Sequence, residues 1–464
     1  MDDTTVLLAR AQFALTIMFH YIYPPLSIGL GVFLVIVEGI YLKTRDPLWR
    51  QVARYWTKVF ALTFAVGVAT GLVMEFEFGT NWAKYSRFVG DIFGSLLASE
   101  GIFAFFLESG FLAVLLFGWD KVGPKMHYFA TVMVCLGAHF SAVWIVVANS
   151  WMHTPAGFHL VDGPFGMRAE VTDFWMMVFN PSSVVRLAHV LIGAWLCGAF
   201  LVVSICAWFM LKRRHEAFTR ATFSVAIVFA CVASYLQLAA GHFSSDAVAK
   251  NQPVKFAAME GHFVSGTPAD LHIIGWMDKD HVGHGITIPG GTSFLLHLDF
   301  KAPVTGYNSV PPADRPPEQI VFQTYHLMIG IGFTLIGLSS LVVFLWWKGR
   351  LERYRWLLWV LVFSVLGPQI ANQFGWIAAE VGRQPWIVQG LMRTSDAVSP
   401  NVSAGQIIFS LILFTSIYLV LFVTFIYVLN AKIQHGPEPE DTTGPLLKLP
   451  QKITDAFGGK RIDG

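Results

Sequence analysis

Charged residues are scarce in this chain. Asp, Glu, Lys and Arg together make up 13% of its 464 residues, while 55% are hydrophobic. Because a soluble domain typically carries about 25% charged residues, the composition excludes an ordinary soluble protein. The formal net charge is only +2, so a nucleic-acid partner, which needs a strongly basic surface, is not expected.

Cysteine is also scarce, and its spacing excludes covalently attached c-type haem. The four cysteines lie inside apolar segments and form no CxxC or CxxCH motif: Cys135, Cys197, Cys206 and Cys231. They are interpreted as small buried residues. The N-terminus lacks a basic segment followed by a cleavage site, which predicts an uncleaved first span.

Long apolar runs, in contrast, are abundant. About 20 apolar residues in a helix cross the hydrocarbon core of a bilayer. Runs of at least this length predict an all-α polytopic membrane protein with about nine transmembrane helices. The predicted spans are 13–42, 56–78, 93–119, 127–151, 184–211, 219–240, 321–347, 356–380 and 404–431.

Basic residues in every second loop predict the orientation. Lys and Arg are concentrated near residues 43–58, 121–125, 212–220 and 348–355. Cytoplasmic loops carry the excess of Lys and Arg, so we expect the N-terminus outside and the C-terminus in the cytoplasm. The predicted regions are a six-helix membrane region at 1–240, an outer loop at 241–320, a three-helix membrane region at 321–431 and a cytoplasmic tail at 432–464.

Four side chains that can ligate a metal fall at one predicted depth. His20, His189, Met328 and Glu380 all lie in the outer half of their spans. Such a set suggests axial ligation of haem iron, since a His/Met pair is typical of a low-spin electron carrier and a single ligand leaves a position open for oxygen. Each residue also has a structural explanation: packed histidines, a core methionine, and a salt bridge from Glu380 to Arg383 one turn on.

Two further carboxylates lie within the third predicted span. Glu100 and Glu108 are eight residues apart, which in a regular α-helix leaves them about 80° apart around the axis and ~12 Å apart in depth. Stacked carboxylates in an apolar helix favour a proton relay. Ser141 could extend the polar line, and protonated carboxyls bonded to neighbouring helices are the alternative.

Ordered motifs over nearly the whole chain resemble subunit I of the cytochrome bd quinol oxidases. They are FALT…H (13–20), MEFEFGTNW (74–82), EG…FFLES (100–109), NP…H (180–189), a Met inside the seventh span and GRQPW (382–386). The outer loop is short, as in the short-loop, cyanide-insensitive-like members. The resemblance implies a bacterial inner-membrane quinol:oxygen oxidoreductase that generates a proton motive force without pumping.

The resemblance also implies cofactors and site residues. His189 and Met328 match the ligands of a low-spin haem b. His20 and Glu380 match those of two high-spin haems, a haem b and either a haem d or a further haem b. Arg383, Trp376 and Trp386 match cofactor-binding positions, and Glu100, Glu108 and Ser141 match the proton path.

The outer loop and the partners follow from the same resemblance. Lys255 and Glu260, in KFAAME, match the quinol-binding pair. The expected partners are subunit II, quinol, dioxygen and the lipid bilayer, and a small single-span subunit is left open. Two rival functions also stay open. A transporter would use the carboxylates but leave the His/Met/Glu set unexplained, and a b-type electron-transfer subunit would lack an oxygen site.

Overall fold

A computed structural model describes residues 3–164, 166–278 and 282–438 of the chain. Of the predicted cytoplasmic tail at 432–464, residues 439–464 lie outside the described part. The described chain is predominantly helical, as the apolar runs predict. Its α-helices are α1 Asp3–His20, α2 Tyr23–Thr44, α3 Pro47–Thr80, α4 Ala83–Phe88, α5 Gly90–Glu100, α6 Phe106–Phe117, α7 Pro124–His153, α8 Phe174–Val178, α9 Ser183–Lys212, α10 Glu216–Asn251, α11 Pro253–Glu260, α12 Gly291–His297, α13 Glu318–Trp347, α14 Arg355–Phe363, α15 Leu366–Val381, α16 Thr394–Ala397 and α17 Ala404–His435.

Each predicted span falls on one of these helical runs. Within the described residues, eight runs are long and apolar enough to cross a membrane by length and composition. The remaining predicted span, 93–119, corresponds to residues 90–117, where a π-helical turn at Gly101–Phe105 separates α5 from α6. The chain is therefore an α-helical, multi-span membrane protein.

The first helical run is longer than a bilayer requires. α1 and α2 together span the run Asp3–Thr44, and its 42 residues would extend ~63 Å as a continuous helix, about twice the hydrocarbon thickness. A turn at residues 21–22 and the prolines in the first turn of α2 divide it. α3 returns along both helices, because Ser27 donates to Thr63 of α3 at 3.1 Å and Asn81, just after α3, donates to Gln12 at 3.1 Å.

The core of the bundle is built from closely packed helices. A Cβ added to Gly198 of α9 would lie 2.3 Å from the backbone carbon of Gly29 on α2, so glycine is needed where these two helices cross. Missing side chains let membrane helices approach closely, and the contact then gains van der Waals energy. This crossing holds α9, and with it His189, against the N-terminal helices.

Short β-ribbons occupy the connections between helices. The strands pair antiparallel as β1 with β2, β3 with β6, β4 with β5, and β7 with β8. Their bounds are β1 Phe158–Gly163, β2 Gly166–Val171, β3 Thr267–Pro268, β4 Leu271–Met277, β5 Val282–Ile288, β6 Pro303–Val304, β7 Trp386–Val388 and β8 Met392–Arg393. The described residues also contain three 3-10 turns: Tyr307–Ser309, Pro312–Asp314 and Leu351–Arg353.

The predicted outer loop at 241–320 is more ordered than its composition suggests. α10 does not stop at residue 240 but continues to Asn251, and α11 follows after one residue. The predicted span ends at residue 240 because polar residues follow it. A helix can nevertheless continue beyond the membrane, since it depends on backbone hydrogen bonds and not on lipid. The loop therefore begins with rigid helix, which fixes the position of α11 beside the bundle.

Candidate functional site

α15 contacts the end of α1 that carries His20. Gln373 donates from Nε2 to the carbonyl oxygen of Met18 at 2.8 Å, and Gln369 donates to that of Ile22 at 3.0 Å. The rings of Tyr21 and Trp376 meet edge to face with centroids 5.4 Å apart. His20 itself lies 3.0 Å from the hydroxyl of Thr70 through Nδ1. These contacts place His20 at the level of residues 369–376 of α15.

The same helix contacts α9 around His189. Asn372 donates to the carbonyl oxygen of Gly193 at 3.3 Å, one turn beyond the histidine. One turn before it, the guanidinium of Arg186 lies 5.8 Å from the ring centroid of Trp376. On the other side of His189, the amide nitrogen of Gln237 lies 3.2 and 3.3 Å from its two ring nitrogens.

Met328 completes the set, because α13 packs tightly on α15. A Cβ added to Gly375 would lie 2.8 Å from the sulfur of Met328. α15 therefore carries Glu380 and also touches the three other helices on which a ligand is predicted. The ligand depths predicted from topology are compatible with these contacts, and the structure adds that α15 is a direct neighbour of the three other ligand-bearing helices.

Glu380 lies in a strongly cationic environment. Arg383 donates to one of its oxygens, and the other oxygen accepts at 3.0 Å from both Nε2 of His153 and Nδ2 of Asn149. A second guanidinium, that of Arg186, lies 3.7 Å from the same oxygen and donates to Asn149. Two arginines thus face one carboxylate, which leaves the cluster with an excess of positive charge.

The buried arginines have hydrogen-bonding capacity left over. Nε and Nη1 of Arg383 and Nε of Arg186 are buried and find no acceptor among the described residues. Buried donors are normally satisfied, so these three point to an anionic group such as a haem propionate. Glycines also face the predicted ligand rings: Gly71 would place a Cβ 3.2 Å from His20, and Gly241 one 3.6 Å from His189. The unpaired donors, and the two glycines beside the histidine rings, fit a haem site.

The carboxylates of the third span lie closer to one face than a regular helix predicts. A π turn accommodates about one extra residue, so eight positions rotate by about 700° instead of 800°. The expected separation of 80° is therefore wrong, and about 20° remains. α7 shows the alignment directly: Ser141 donates to Glu100, and a Cβ on Gly137, one turn away, would lie 2.8 Å from Cβ of Glu108.

Lys255 and Glu260 lie at opposite ends of α11, and each has its own partners. Lys255 is 3% exposed, and its ammonium lies 3.4 Å from Nδ1 of His153, on the Glu380 side. Burial, followed by the charge of Arg186, holds the pKa of Lys255 well below its usual range. Glu260 is 5% exposed and accepts from Tyr325 at 2.8 Å and Thr292 at 3.1 Å. Burial raises the pKa of Glu260.

Comparison with known proteins identifies the family. The family model described as cytochrome bd terminal oxidase subunit I matches residues 8–437. The chain belongs to this family. It is 36% identical to cytochrome bd ubiquinol oxidase subunit 1 of Bacillus subtilis, over 94% of this chain and 95% of that one. It is 32% identical to cytochrome bd-II ubiquinol oxidase subunit 1 of Escherichia coli, over 94% and 98%.

A solved structure agrees with this one over nearly the whole chain. The bd oxidase from Geobacillus thermodenitrificans superposes with a TM-score of 0.86 at 31% identity, and covers 93% of this chain and 99% of the other. Together these matches show a terminal oxidase subunit of a bacterial respiratory family, in which haem cofactors are expected. The chain therefore does not belong to a transporter family.

Three residues of the Glu380 cluster were not predicted from the sequence: Asn149, His153 and Arg186. Arg186 could have been found, because it lies three residues before His189 at the predicted outer depth. His153 ends α7 and resembles an ordinary helix-terminal residue in sequence. Trp386, singled out as cofactor-binding, lies in β7, where the guanidinium of Arg393 is 4.8 Å from its ring centroid.

Proposed function

We propose that this chain oxidises membrane quinol and reduces dioxygen to water, as subunit I of a bd-type quinol:oxygen oxidoreductase. One observation carries the proposal: α15 holds Glu380 and contacts the helices of His20, His189 and Met328. A binding protein or a structural subunit has no need to gather two histidines, a methionine and a glutamate in this way. The names of the B. subtilis and E. coli relatives, both ubiquinol oxidase subunits, support it.

His189 and Met328 would hold a low-spin haem b, and His20 and Glu380 two high-spin haems, a haem b and either a haem d or a further haem b. These groups would supply single-electron transfer and an open iron position for oxygen. The side chains around these groups would orient the ligands and balance the charge of the site. Gln237 orients the ring of His189, Thr70 orients that of His20, and Arg383 and Arg186 compensate carboxylate charge.

Quinol would bind at the start of the outer loop, between α11 and α13. Glu260 is positioned by Tyr325 and Thr292, and its raised pKa suits a group that takes a proton from a quinol hydroxyl as electrons leave. Lys255 lies on the opposite end of α11, next to the Glu380 cluster. α11 thus connects the substrate end of the site with the cofactor end.

The protons consumed in making water would pass Glu108 and then Glu100. Both carboxylates face one stripe of α7, and Ser141 donates to the second of them. With the predicted orientation, quinol protons leave on the outer side and the consumed protons come from the cytoplasm. Charge is then separated across the bacterial inner membrane without pumping.

Subunit II, and in some members a small single-span subunit, would cover part of the apolar helix surface. Only 11% of the most apolar stretch of α17 is buried within this chain, and 17% of that of the run Pro312–Trp347, which contains α13, compared with 78% for α9. Apolar helices this exposed face either lipid or another apolar chain. The dependence on a second subunit makes co-expression of the complex necessary for every functional test.

Reduced-minus-oxidised absorption spectra of the purified complex, with and without carbon monoxide, test the proposal. We expect a low-spin b-type spectrum together with a high-spin component that carbon monoxide shifts. Absence of haem bands would exclude the oxidase function. Haem bands with no response to carbon monoxide would favour the rival electron-transfer subunit, because no iron position would then be open to oxygen.

A further inference from the structure

His153 lies between the two ends of the proposed site. It is the last residue of α7 and is 1% exposed. Its Nε2 lies 3.0 Å from Oε1 of Glu380, while its Nδ1 lies 3.2 Å from Oε1 of Gln252 and 3.4 Å from Nζ of Lys255. A single imidazole thus touches the candidate iron ligand on one side and the candidate quinol-site lysine on the other.

The chemistry of the contacts determines which ring nitrogen carries hydrogen. The carboxylate of Glu380 can only accept, so Nε2 of His153 donates to it. In the neutral ring Nδ1 is then an acceptor, and the Gln252 carbonyl beside it is an acceptor as well. Nζ of Lys255 lies 3.5 Å from that carbonyl and 3.4 Å from Nδ1, so the lysine donates to both.

The remaining contacts hold this arrangement in place. Nε2 of Gln252 reaches Oε1 of Gln389 at 3.4 Å, which turns the Gln252 carbonyl toward His153 and Lys255. Gln389 in turn donates from its backbone to the carbonyl of Met152, the neighbour of His153. Lys255 also packs against the GRQPW turn, since a Cβ on Gly382 would lie 3.0 Å from its Cγ. Donors therefore run in one direction, from Lys255 through His153 to Glu380.

We propose that His153 is a positioning residue that couples the quinol-side Lys255 to the ligand carboxylate of Glu380 through one directed pair of hydrogen bonds. This inference rests on the proposed function and adds a coupling residue to it. A donor to one carboxylate oxygen fixes the orientation of the ligand and withdraws charge from it. The same ring fixes the ammonium of Lys255 at the base of α11, so a change at either end reaches the other.

Two substitutions separate this role from simple space filling. Gln at position 153 can donate from its amide to Glu380 and accept from Lys255 through its carbonyl, whereas Leu can do neither. We therefore compare His153→Gln and His153→Leu in the full complex with subunit II. His159→Leu is the matched control, because His159 lies in the outer ribbon β1, where its side chain is 52% exposed.

The readouts are the midpoint potential and spectrum of the high-spin haems, and the quinol KM and kcat measured separately. We expect His153→Leu to lower the potential of the haem at Glu380, since a carboxylate without its donor stabilises ferric iron better, and to raise the quinol KM about tenfold. We expect His153→Gln to retain both values near those of the wild type, and His159→Leu to change neither.

Three results would overturn the inference. Unchanged potential and KM in His153→Leu would show that the ring couples nothing, and equal defects in the Gln and Leu variants would show a packing role. If His153→Leu does not assemble, Lys255→Met tests the same coupling from the other side, and an unchanged haem potential there overturns it. A wild-type complex without haem would instead remove the proposed function itself, and the inference with it.

Discussion

Gly375 lies directly against Met328, with space for the methionine sulfur only because the glycine has no side chain. A Cβ at this position would lie 2.8 Å from that sulfur, which is closer than real contacts allow. The pair joins α15 to α13 at the level of the candidate ligands. It shows that the position of the thioether is set by the facing helix as well as by its own.

Gly375→Ala should displace Met328 and perturb the low-spin haem. Overpacking of this kind typically destabilises by about 1–3 kcal/mol, so we expect a lower thermal midpoint and a shifted low-spin spectrum. Gly330→Ala on α13 is the matched control, because an added Cβ meets nothing within 4 Å there. Identical spectra and stabilities for the two variants would contradict the contact.

His189→Ala should abolish the low-spin spectrum while the high-spin signal persists. The imidazole is the candidate ligand, and Gln237 only orients it, so Gln237→Leu should shift the low-spin bands without removing them. Absorption spectra of the reduced complexes provide the measurement. A low-spin spectrum retained in His189→Ala would overturn the ligand assignment.

Arg383→Lys should weaken the site at Glu380 although the charge is conserved. The guanidinium donates to Glu380 and has two further buried nitrogens available for a second anion, and an ammonium cannot reproduce this fork. We expect reduced high-spin haem content and a loss of about 1–3 kcal/mol in stability. Arg393→Lys, at a site that is 37% exposed, should leave haem content unchanged, and an equal loss in both variants would argue against the assignment.

Glu108→Gln should lower oxygen consumption by about tenfold or more with the haem spectra intact. An amide keeps the shape of the side chain against Gly137 but cannot release a proton. The comparison variant is Glu170→Gln in β2, where the carboxylate is paired with Arg168. Wild-type turnover in Glu108→Gln would remove this residue from the proton path.

Protonation of Glu260 should lower the rate of quinol oxidation at acidic pH. Its pKa is raised above the ordinary 4.5 by burial, and only the deprotonated carboxylate can accept a quinol proton. Turnover should therefore fall as pH decreases through a value above 4.5. Glu260→Gln should be slow and lack this limb. The measurement is the rate of quinol oxidation as a function of pH in the wild type and the variant. If the same fall at low pH remained in Glu260→Gln, another group would be responsible for it.

The sequence predicts depth in the membrane, but it does not predict which helices are lateral neighbours. His20, His189, Met328 and Glu380 were placed at one level by counting ~1.5 Å per residue from the ends of the apolar runs. Which helices touch depends on side chains on all their faces, and no local pattern in α15 indicates that it contacts α1, α9 and α13. Glu100 and Glu108 show the same limit at short range, because the π turn between them has no signature that the pattern of apolar residues reveals.

The sequence by itself determined the class of protein, the helical runs and the candidate ligands, because hydrophobic length and residue chemistry are local properties. Tertiary structure alone decided that α15 contacts the three other ligand-bearing helices, that Glu380 meets Arg186 as a second arginine, and that His153 lies between Glu380 and Lys255. The contacts of Glu380 with Arg186 and His153, and of His153 with Lys255, join residues more than 100 positions apart. They exist only once helix packing has brought buried polar groups together and each has taken the partner that offsets its desolvation.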